Sequence, residues 1–435
     1  MPIALQSLIG SSLSLVDNLM VGSLGDTAIA AVGAGIQAFF VFWMIMFGFA
    51  SGAATFMAQF WGTEDIKNIK KTLGFAIFVS MCVGLLFFVV AMFFPEFFAN
   101  IYTNKPEAQK LAIEYIRAGS FCFLALGITV PITFCLRSIQ QTRLPLYTST
   151  VAFCTSTFLN YVFIFGNFGA PRLGVMGAAL STSIARALEL VLVLCIVFLR
   201  KNIIAGKIKE YVGWTKEFAV KIIHNAIPTA LNETLWGIGT TMYIAAYARV
   251  GITAHAAVQV SGAINSLFIL AAFSIGDAAL ILIGQRLGAG ELDYGYKLGK
   301  KLLKTGVIIG IIAGIMLILV ANPIISLFNF DTPEGAEYTF YILVVYAVSM
   351  PIVLFNGINI VGVLRSGGDT RYAMVVESIA VWMIGVPMAF FTTRVLKLPI
   401  YFCVLLVRME EFIKFFVLLK RFLSKKWVRN VIKNL

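Results

Sequence analysis

Charged residues are scarce in this sequence. Asp, Glu, Lys and Arg make up only 13% of the 435 residues, about half the share found in a soluble domain. No polar stretch is long enough to form a separate soluble domain, and 60% of the chain is apolar or aromatic. So much apolar surface needs lipid as its solvent, which predicts an integral membrane protein.

Motifs of nucleotide-binding proteins and of hydrolases are also missing. The chain contains no GxxxxGK[ST] loop, no HExxH and no GxSxG, which argues against ATP hydrolysis and against a metallo- or serine hydrolase. Its six cysteines stand singly, without metal-ligand spacing, and are interpreted as buried thiols: Cys82, Cys122, Cys135, Cys154, Cys195 and Cys403. We therefore expect no enzyme activity and no cofactor.

Apolar runs long enough to cross a bilayer recur along the whole chain. They predict twelve helices, at 1–22, 29–61, 72–94, 111–136, 146–166, 174–199, 218–247, 254–285, 298–321, 338–364, 372–393 and 399–419. Gly and Pro mark the joins between these runs. The predicted fold class is an all-α polytopic membrane protein.

The basic residues predict its orientation. With twelve spans both termini lie on one side, and 24 of the 34 Lys and Arg fall there, against six in the opposite loops. This bias places both termini in the cytoplasm, in the plasma (inner) membrane of a bacterium or an archaeon. It also explains the net charge of +13 without a nucleic-acid partner. The basic tail is expected to lie against anionic lipid headgroups.

The two halves of the chain resemble each other. Pro2-Ile-Ala-Leu recurs 226 residues later as Pro228-Thr-Ala-Leu, and the polar string LRSIQQTR at 136–143 recurs as LRSGGDTR at 364–371. The repeat predicts two parallel, pseudo-symmetric six-helix bundles. The predicted division is an N-terminal lobe 1–200, a cytoplasmic linker 201–217, a C-terminal lobe 218–419 and a tail 420–435.

Such a repeat favours a transporter with its substrate site between the halves and alternating access by rocking. A channel or scaffold is the alternative. We expect a monomer that binds small cationic molecules and the lipid bilayer.

Several strings resemble the multidrug and toxic compound extrusion (MATE) family of cation-coupled exporters. They are SLVDNLMVGSLGDTAIAAVG in the first helix, the two LRS strings, and LNYVFIFGNFGAPRLGVMGAALSTSIAR. The resemblance covers almost the whole chain and implies export of lipophilic organic cations and drugs, driven by inward H⁺ or Na⁺ flow. A dozen residues precede Pro228 without a counterpart before Pro2, so we expect the natural chain to start upstream.

The resemblance implies that Asp17 carries the coupling proton or sodium ion. An ionisable group within a span is costly and is a functional candidate by default. Asn160 and Ser156, one turn apart on the fifth helix, and Thr182 on the sixth are expected to support it. Asp17 and Asn160 are the candidate ligands for a sodium ion.

The C-terminal half supplies further candidates. Glu233 resembles the glutamate of the sodium-coupled bacterial branch, and Asp277 is expected to join it or to meet the substrate. Asn356 and Asn359 stand where that branch has an acid, and are assigned to the substrate cavity. Gln37 and Trp43 of the aromatic second helix join them there.

Other charged residues are assigned structural roles. Arg186 with Glu189, and Arg408 with Glu411, have the spacing of pairs on one helix face.

Two alternatives to an exporter stay open. One is a lipid-linked oligosaccharide or polysaccharide flippase of the same superfamily, which the acidic cavity candidates disfavour. The other is a membrane-embedded transferase, for which no acid–base constellation is found.

Overall fold

The structure is a computed structural model that describes residues 2–102, 106–326, 328, 330, 332–433 and 435, except for the side chains of residues 4, 11–15, 18, 19, 26, 101, 102 and 271. Over these residues the chain is helical and contains no strand. Lys105, counted above among the basic residues, lies outside the described part.

The helices follow one another through short joins. They are α1 Pro2–Gly22, α2 Asp26–Gly62, α3 Ile66–Phe93, α4 Pro95–Tyr102, α5 Pro106–Gly119, α6 Phe121–Ser138, α7 Arg143–Phe165, α8 Val175–Leu199, α9 Ile208–Val212, α10 Lys216–Tyr247, α11 Ile252–Gly288, α12 Leu292–Ile325, α13 Pro333–Gly357, α14 Thr370–Ile379, α15 Val386–Arg394 and α16 Ile400–Leu423. Two π-helical segments, Ile358–Leu364 and Ala380–Gly385, extend α13 and join α14 to α15.

Nine helical segments in the described part are long and apolar enough to cross a membrane. Three further predicted spans are the helices α1, α10 and α16, of which α10 and α16 carry several charged residues. The predicted all-α fold class with twelve spans is confirmed. The predicted span 111–136 is broken between α5 and α6.

The chain forms two compact units, Met1–Ile223 and His224–Leu435. The boundary lies within α10, so residues 201–217, predicted as a cytoplasmic linker, belong to the first unit. Ile204 is buried there, and its carbonyl oxygen accepts a hydrogen bond from the Tyr211 hydroxyl at 2.5 Å. At the start of α10, Phe218 stacks on Phe60 of α2 with the ring centroids 6.2 Å apart.

Small residues allow α12 and α13 to pack closely in the second unit. Gly306, Gly310 and Gly314 are buried along one face of α12, and a methyl group at Gly310 would lie 2.6 Å from Pro351 Cα. Backbones approach this closely only where side chains are absent, the usual packing of helices in lipid. The opposite face of α12 exposes apolar side chains that suit lipid, such as Leu319.

The C-terminal tail folds back onto its own lobe. Trp427 is fully buried, and its ring stacks on Phe422 at 5.7 Å. The Asn430 amide donates to the Gly288 carbonyl oxygen at 3.0 Å. The expectation that this tail lies against lipid headgroups is therefore wrong around Trp427, because the indole ring gains more by packing on protein.

The cysteines only partly match their interpretation as buried thiols. All six are free; Cys122, Cys135 and Cys403 are buried, whereas Cys82, Cys154 and Cys195 are exposed. These three lie in α3, α7 and α8, whose exposed faces are apolar enough for lipid. Composition alone does not distinguish a lipid-facing position from a buried one.

Gly310→Ala is expected to destabilise the protein, because the added methyl group overlaps Pro351 of α13. Overpacking of this kind costs about 1–3 kcal/mol. Gly33→Ala in α2 is the matched control, since a methyl group there meets no atom within 4 Å. Thermal unfolding in detergent should show a lower midpoint for Gly310→Ala only; equal midpoints would contradict the close packing of α12 and α13.

Candidate functional site

Asp17 and Asn160 meet in the N-terminal lobe, where α1 packs on α7. The Asn160 side-chain amide donates a hydrogen bond to Asp17 Oδ1. Asn160 and Ser156 are fully buried, as their spacing of one helical turn on the inner face of α7 requires. The structure thus brings Asp17 together with one of its predicted partners.

Two buried oxygen atoms, one in this pair and one a helical turn away on α7, lack a hydrogen-bond partner among the described residues. They are Asn160 Oδ1 and Ser156 Oγ. A buried oxygen without a partner is costly and often marks the place of a ligand or a water molecule. A carboxylate, an amide carbonyl and a hydroxyl group are oxygen ligands that suit a hard cation. A proton on Asp17 is the alternative.

A second polar chain runs through the same lobe. Arg186 donates to Glu189 at 2.8 Å, which confirms the predicted pairing. Glu189 also accepts from the Ser149 hydroxyl at 2.7 Å, and Ser149 Oγ accepts from Gln6 at 3.0 Å. Gln6 Oε1 in turn accepts from Arg137 at 2.7 Å. Both guanidinium groups are thereby linked to one carboxylate, and Arg186 also lies within electrostatic range of Asp17.

Three other N-terminal candidates have less informative surroundings. The Thr182 hydroxyl donates to the Ala178 carbonyl oxygen of its own helix at 3.1 Å. Gln37 is partly buried on α2. Trp43 is 40% exposed and packs on Phe47 at 6.5 Å between ring centroids. Their assigned roles stay predictions.

The C-terminal lobe encloses a cavity of about 280 Å³. Its walls come from α10, α11, α13 with its π-helical extension, α14 and α16, and include aromatic rings such as Trp236 and Tyr247. Its charged lining residues are four carboxylates and two cations: Glu233, Glu377, Glu410, Glu411, Arg408 and Lys414.

Lys414 is the centre of this group. It is 2% exposed, and its ammonium lies 2.7 Å from Glu411, 3.8 Å from Glu377 and 4.0 Å from Glu410. Glu410, Glu411 and Lys414 share one face of α16 through their spacing of three and four, whereas Glu377 approaches from α14. A lysine this deeply buried is tolerated only because carboxylates surround it.

Amide and hydroxyl groups hold the carboxylates in position. Asn232 donates to Glu377 at 2.7 Å, and Asn356 donates to Glu411 at 2.8 Å. The carbonyl oxygens of both amides have no partner among the described residues, and Asn356 lines the cavity. The wall of the cavity therefore contains a buried amide oxygen that has no partner among the described residues, next to a carboxylate.

Tyr243 closes the cluster on the side of α10. Its hydroxyl donates to Glu410 Oε2 at 2.6 Å. The contact needs a glycine at position 385, because a methyl group there would overlap both the Tyr243 hydroxyl and Glu410.

The other C-terminal candidates are dispersed. Glu233 lines the cavity but is ion-paired with Arg365, and both side chains are almost fully buried. Asp277 is buried in α11 and is not among the cavity-lining residues. Asn359 lies in the π-helical segment and donates to the Leu418 carbonyl oxygen at 3.3 Å. Asn356 is thus the predicted amide that reaches the cavity.

The sequence predicts only part of this cluster. Glu411 forms its direct ion pair with Lys414, whereas the Arg408 guanidinium lies 4.6 Å from the centre of the Tyr346 ring and interacts with Glu411 only at longer range. Glu377 of α14, which is mostly buried, accepts from Asn232, a contact between helices that the sequence does not predict. The signal that could have found the cluster is Lys414 itself, a lysine within a span at ion-pair spacing from two glutamates.

Two multi-helix lobes with buried ionisable groups and an internal cavity define a polytopic membrane transporter. The MatE family profile matches residues 2–162 and 226–391. The chain belongs to the MatE (MATE) family, and is a transporter rather than an enzyme, which overturns the transferase alternative.

Related proteins match nearly the full length of this chain in sequence. A probable multidrug resistance protein YoeA from Bacillus subtilis is 26% identical over 92% of this chain and 86% of its own length. A probable multidrug resistance protein NorM from Thermotoga maritima is 23% identical over 96% and 89%. The multidrug resistance protein NorM from Burkholderia vietnamiensis is 26% identical over 89% and 84%.

Solved structures share the fold. The Vibrio cholerae MATE transporter VcmN superposes with a TM-score of 0.88 at 17% identity, over 98% of this chain and 96% of its own. A MOP superfamily transporter from Pyrococcus furiosus gives a TM-score of 0.88 at 16% identity, over 98% and 94%.

Lys414→Met is expected to lower stability strongly, because three buried carboxylates lose the cation that they share. Breaking a buried ion pair costs about 3–5 kcal/mol. Adding Glu411→Gln to the same chain should restore part of the loss, since one uncompensated charge is removed. Thermal unfolding of the parent, both single variants and the double variant measures this coupling; purely additive effects would show that Lys414 and Glu411 act independently.

Proposed function

We propose that the chain is a secondary active exporter of lipophilic organic cations and drugs, driven by inward H⁺ or Na⁺ flow in antiport. The observation that carries the proposal is the pair formed by half-buried Asp17 and buried Asn160, with the Asn160 and Ser156 oxygens that lack a hydrogen-bond partner among the described residues. The names of the relatives, multidrug resistance proteins, support the substrate class. Alternating access would couple occupation of this pair to the direction in which the protein opens.

Asp17 is proposed as the coupling carboxylate. Its only described hydrogen-bond donor is the neutral amide of Asn160, so no fixed cation is bonded directly to it. A carboxylate in this situation is free to bind and release an incoming ion, whereas an ion-paired carboxylate is already neutralised. With a single carboxylate at the pair, either H⁺ or Na⁺ satisfies the charge.

The C-terminal cavity is proposed to receive the cationic part of the substrate. Its lining carboxylates outnumber its lining cations, and Trp236 and the nearby tyrosines provide aromatic faces for a cation. The Asn356 carbonyl oxygen, which has no partner among the described residues, is proposed to accept a hydrogen bond from an ammonium group when the cavity is occupied. The charge of Glu233 is neutralised by Arg365. Glu233 would therefore contribute to the electrostatic potential of the cavity rather than bind the coupling ion.

The flippase alternative has one observation in its favour. Arg408 and Lys414 put two cations at the cavity wall, and cations are what a pyrophosphate group requires. Lys414 is, however, surrounded by carboxylates, which repel an anion. Export of cations is therefore the better supported function.

Asp17→Asn is expected to abolish ion-driven transport, because the amide cannot take up an ion or proton in exchange for substrate. Purified protein in proteoliposomes should move a fluorescent lipophilic cation under a pH gradient alone or a sodium gradient alone. Asp293→Asn, at an exposed first-turn position of α12, is the matched control. Transport by Asp17→Asn at the normal rate under both gradients would refute the proposed coupling role.

Asn356→Ala is expected to raise the substrate concentration for half-maximal transport about tenfold, which corresponds to the loss of one hydrogen bond of about 1–1.5 kcal/mol. Asn359→Ala removes the same group from a residue outside the cavity lining, so its effect should be much smaller. Initial uptake rates over a range of substrate concentrations distinguish the two variants. Equal shifts would argue against a substrate role for the C-terminal cavity.

A further inference from the structure

A basic cleft of about 540 Å³ opens on the N-terminal lobe, between the start of α3 and the short helix α9. Lys67, Lys70 and Lys71 have the spacing that puts them on one face of α3. Lys209 of α9 faces them, and the single acid in the lining is Glu210. The cleft is therefore strongly positive.

One ion pair fixes the walls of this cleft. Lys70 donates to Glu210 at 2.7 Å, and Glu210 also accepts from the Lys207 backbone N–H at 3.0 Å. The hydrogen bond from Lys70 is the main reason why the pKa of the Glu210 carboxyl lies below its usual value, and the Lys207 N–H adds to the effect. Glu210 is thus committed to Lys70. Lys67, Lys71 and Lys209 have no carboxylate partner among the described residues.

An apolar edge adjoins the basic cleft. Ile208 and Val212 are 80% and 60% exposed, and their spacing of four puts them on one face of α9. Nearby, Trp214 packs on Phe78 of α3 at 5.9 Å between ring centroids, and Phe78 is 55% exposed within a predicted span. Exposed apolar side chains on a short helix beside a span suit the membrane interface.

We propose that this cleft binds the headgroup of an anionic phospholipid, with its phosphate on Lys67, Lys71 and Lys209 and its acyl chains along Ile208 and Val212. The charge of the cleft selects an anion, and the apolar edge selects one that carries hydrocarbon. A free phosphate ion would use only the lysines. The excess of basic residues on this side predicts that the lipid belongs to the cytoplasmic leaflet.

Lysines also stand near the start of α12 in the C-terminal lobe, in different surroundings. There the tail residue Trp427 packs against Gly299 and stacks near Tyr296 at 6.5 Å between ring centroids. Lys297 and Lys300 of α12 are exposed but do not line the basic cleft. They provide a matched pair of lysines for comparison.

Native mass spectrometry of the purified full chain with added phosphatidylglycerol or phosphatidylcholine tests the proposal. The parent protein should retain phosphatidylglycerol in preference to phosphatidylcholine. Lys67→Ala/Lys71→Ala, which leaves the Lys70–Glu210 pair intact, should weaken phosphatidylglycerol binding about 10- to 30-fold, since each interfacial lysine contributes about fivefold. Lys297→Ala/Lys300→Ala should bind as the parent does.

Two further arms test the source of the phosphate and the apolar edge. Ile208→Ser/Val212→Ser should weaken lipid binding without changing its headgroup preference, and glycerol phosphate should compete only at far higher concentration than the lipid. Equal losses in the two lysine double variants, equal retention of the two lipids, or displacement by glycerol phosphate at lipid concentrations would each overturn the proposal. Lys209→Ala, at an exposed position, replaces the first variant if that variant does not fold.

Discussion

A buried charge must be neutralised inside the protein where lipid replaces water, and the arrangement of both lobes follows from that constraint. Lys414 gathers Glu377, Glu410 and Glu411 around it, and Arg365 neutralises Glu233. In the N-terminal lobe Arg186 pairs with Glu189. Asp17 differs from these groups, because its hydrogen-bond donor is a neutral amide. The charge that the scaffold neutralises least directly is therefore the best candidate for meeting a mobile ion.

Positions that the predicted repeat aligns carry different chemistry in the two lobes. Tyr243 stands 226 residues after Asp17, and both positions contact a polar group on another helix of their lobe. Asp17 accepts from Asn160, whereas Tyr243 donates to Glu410. A carboxylate is thus part of both contacts, but it comes from α1 in one lobe and from α16 in the other. The N-terminal contact leaves one carboxylate for an ion, whereas the C-terminal one joins a cluster that lines a cavity.

Sequence reasoning succeeded where the pattern was periodic or local. Twelve apolar runs identified the spans, and spacing alone predicted the pair Arg186–Glu189. The same spacing did not give Arg408 a direct ion pair, because its guanidinium lies over an aromatic ring of α13 and Lys414 is the nearer cation to Glu411. Glu377 was missed for a related reason, since its partners Asn232 and Lys414 come from other helices. The prediction that the tail lies on lipid headgroups was wrong around Trp427, because composition does not reveal that this side chain packs against its own lobe.

The sequence by itself determined the class of molecule. Its apolar runs require lipid, its basic residues predict the orientation, and its resemblance to the MATE family identified Asp17 as the acid to examine. The tertiary structure alone decided which charges neutralise one another, and which buried oxygens, such as those of Asn160 and Asn356, are left without a partner among the described residues. The physical reason is that hydropathy and helical periodicity are local properties, whereas ion pairing depends on helix faces far apart in the chain, whose contact is set by packing.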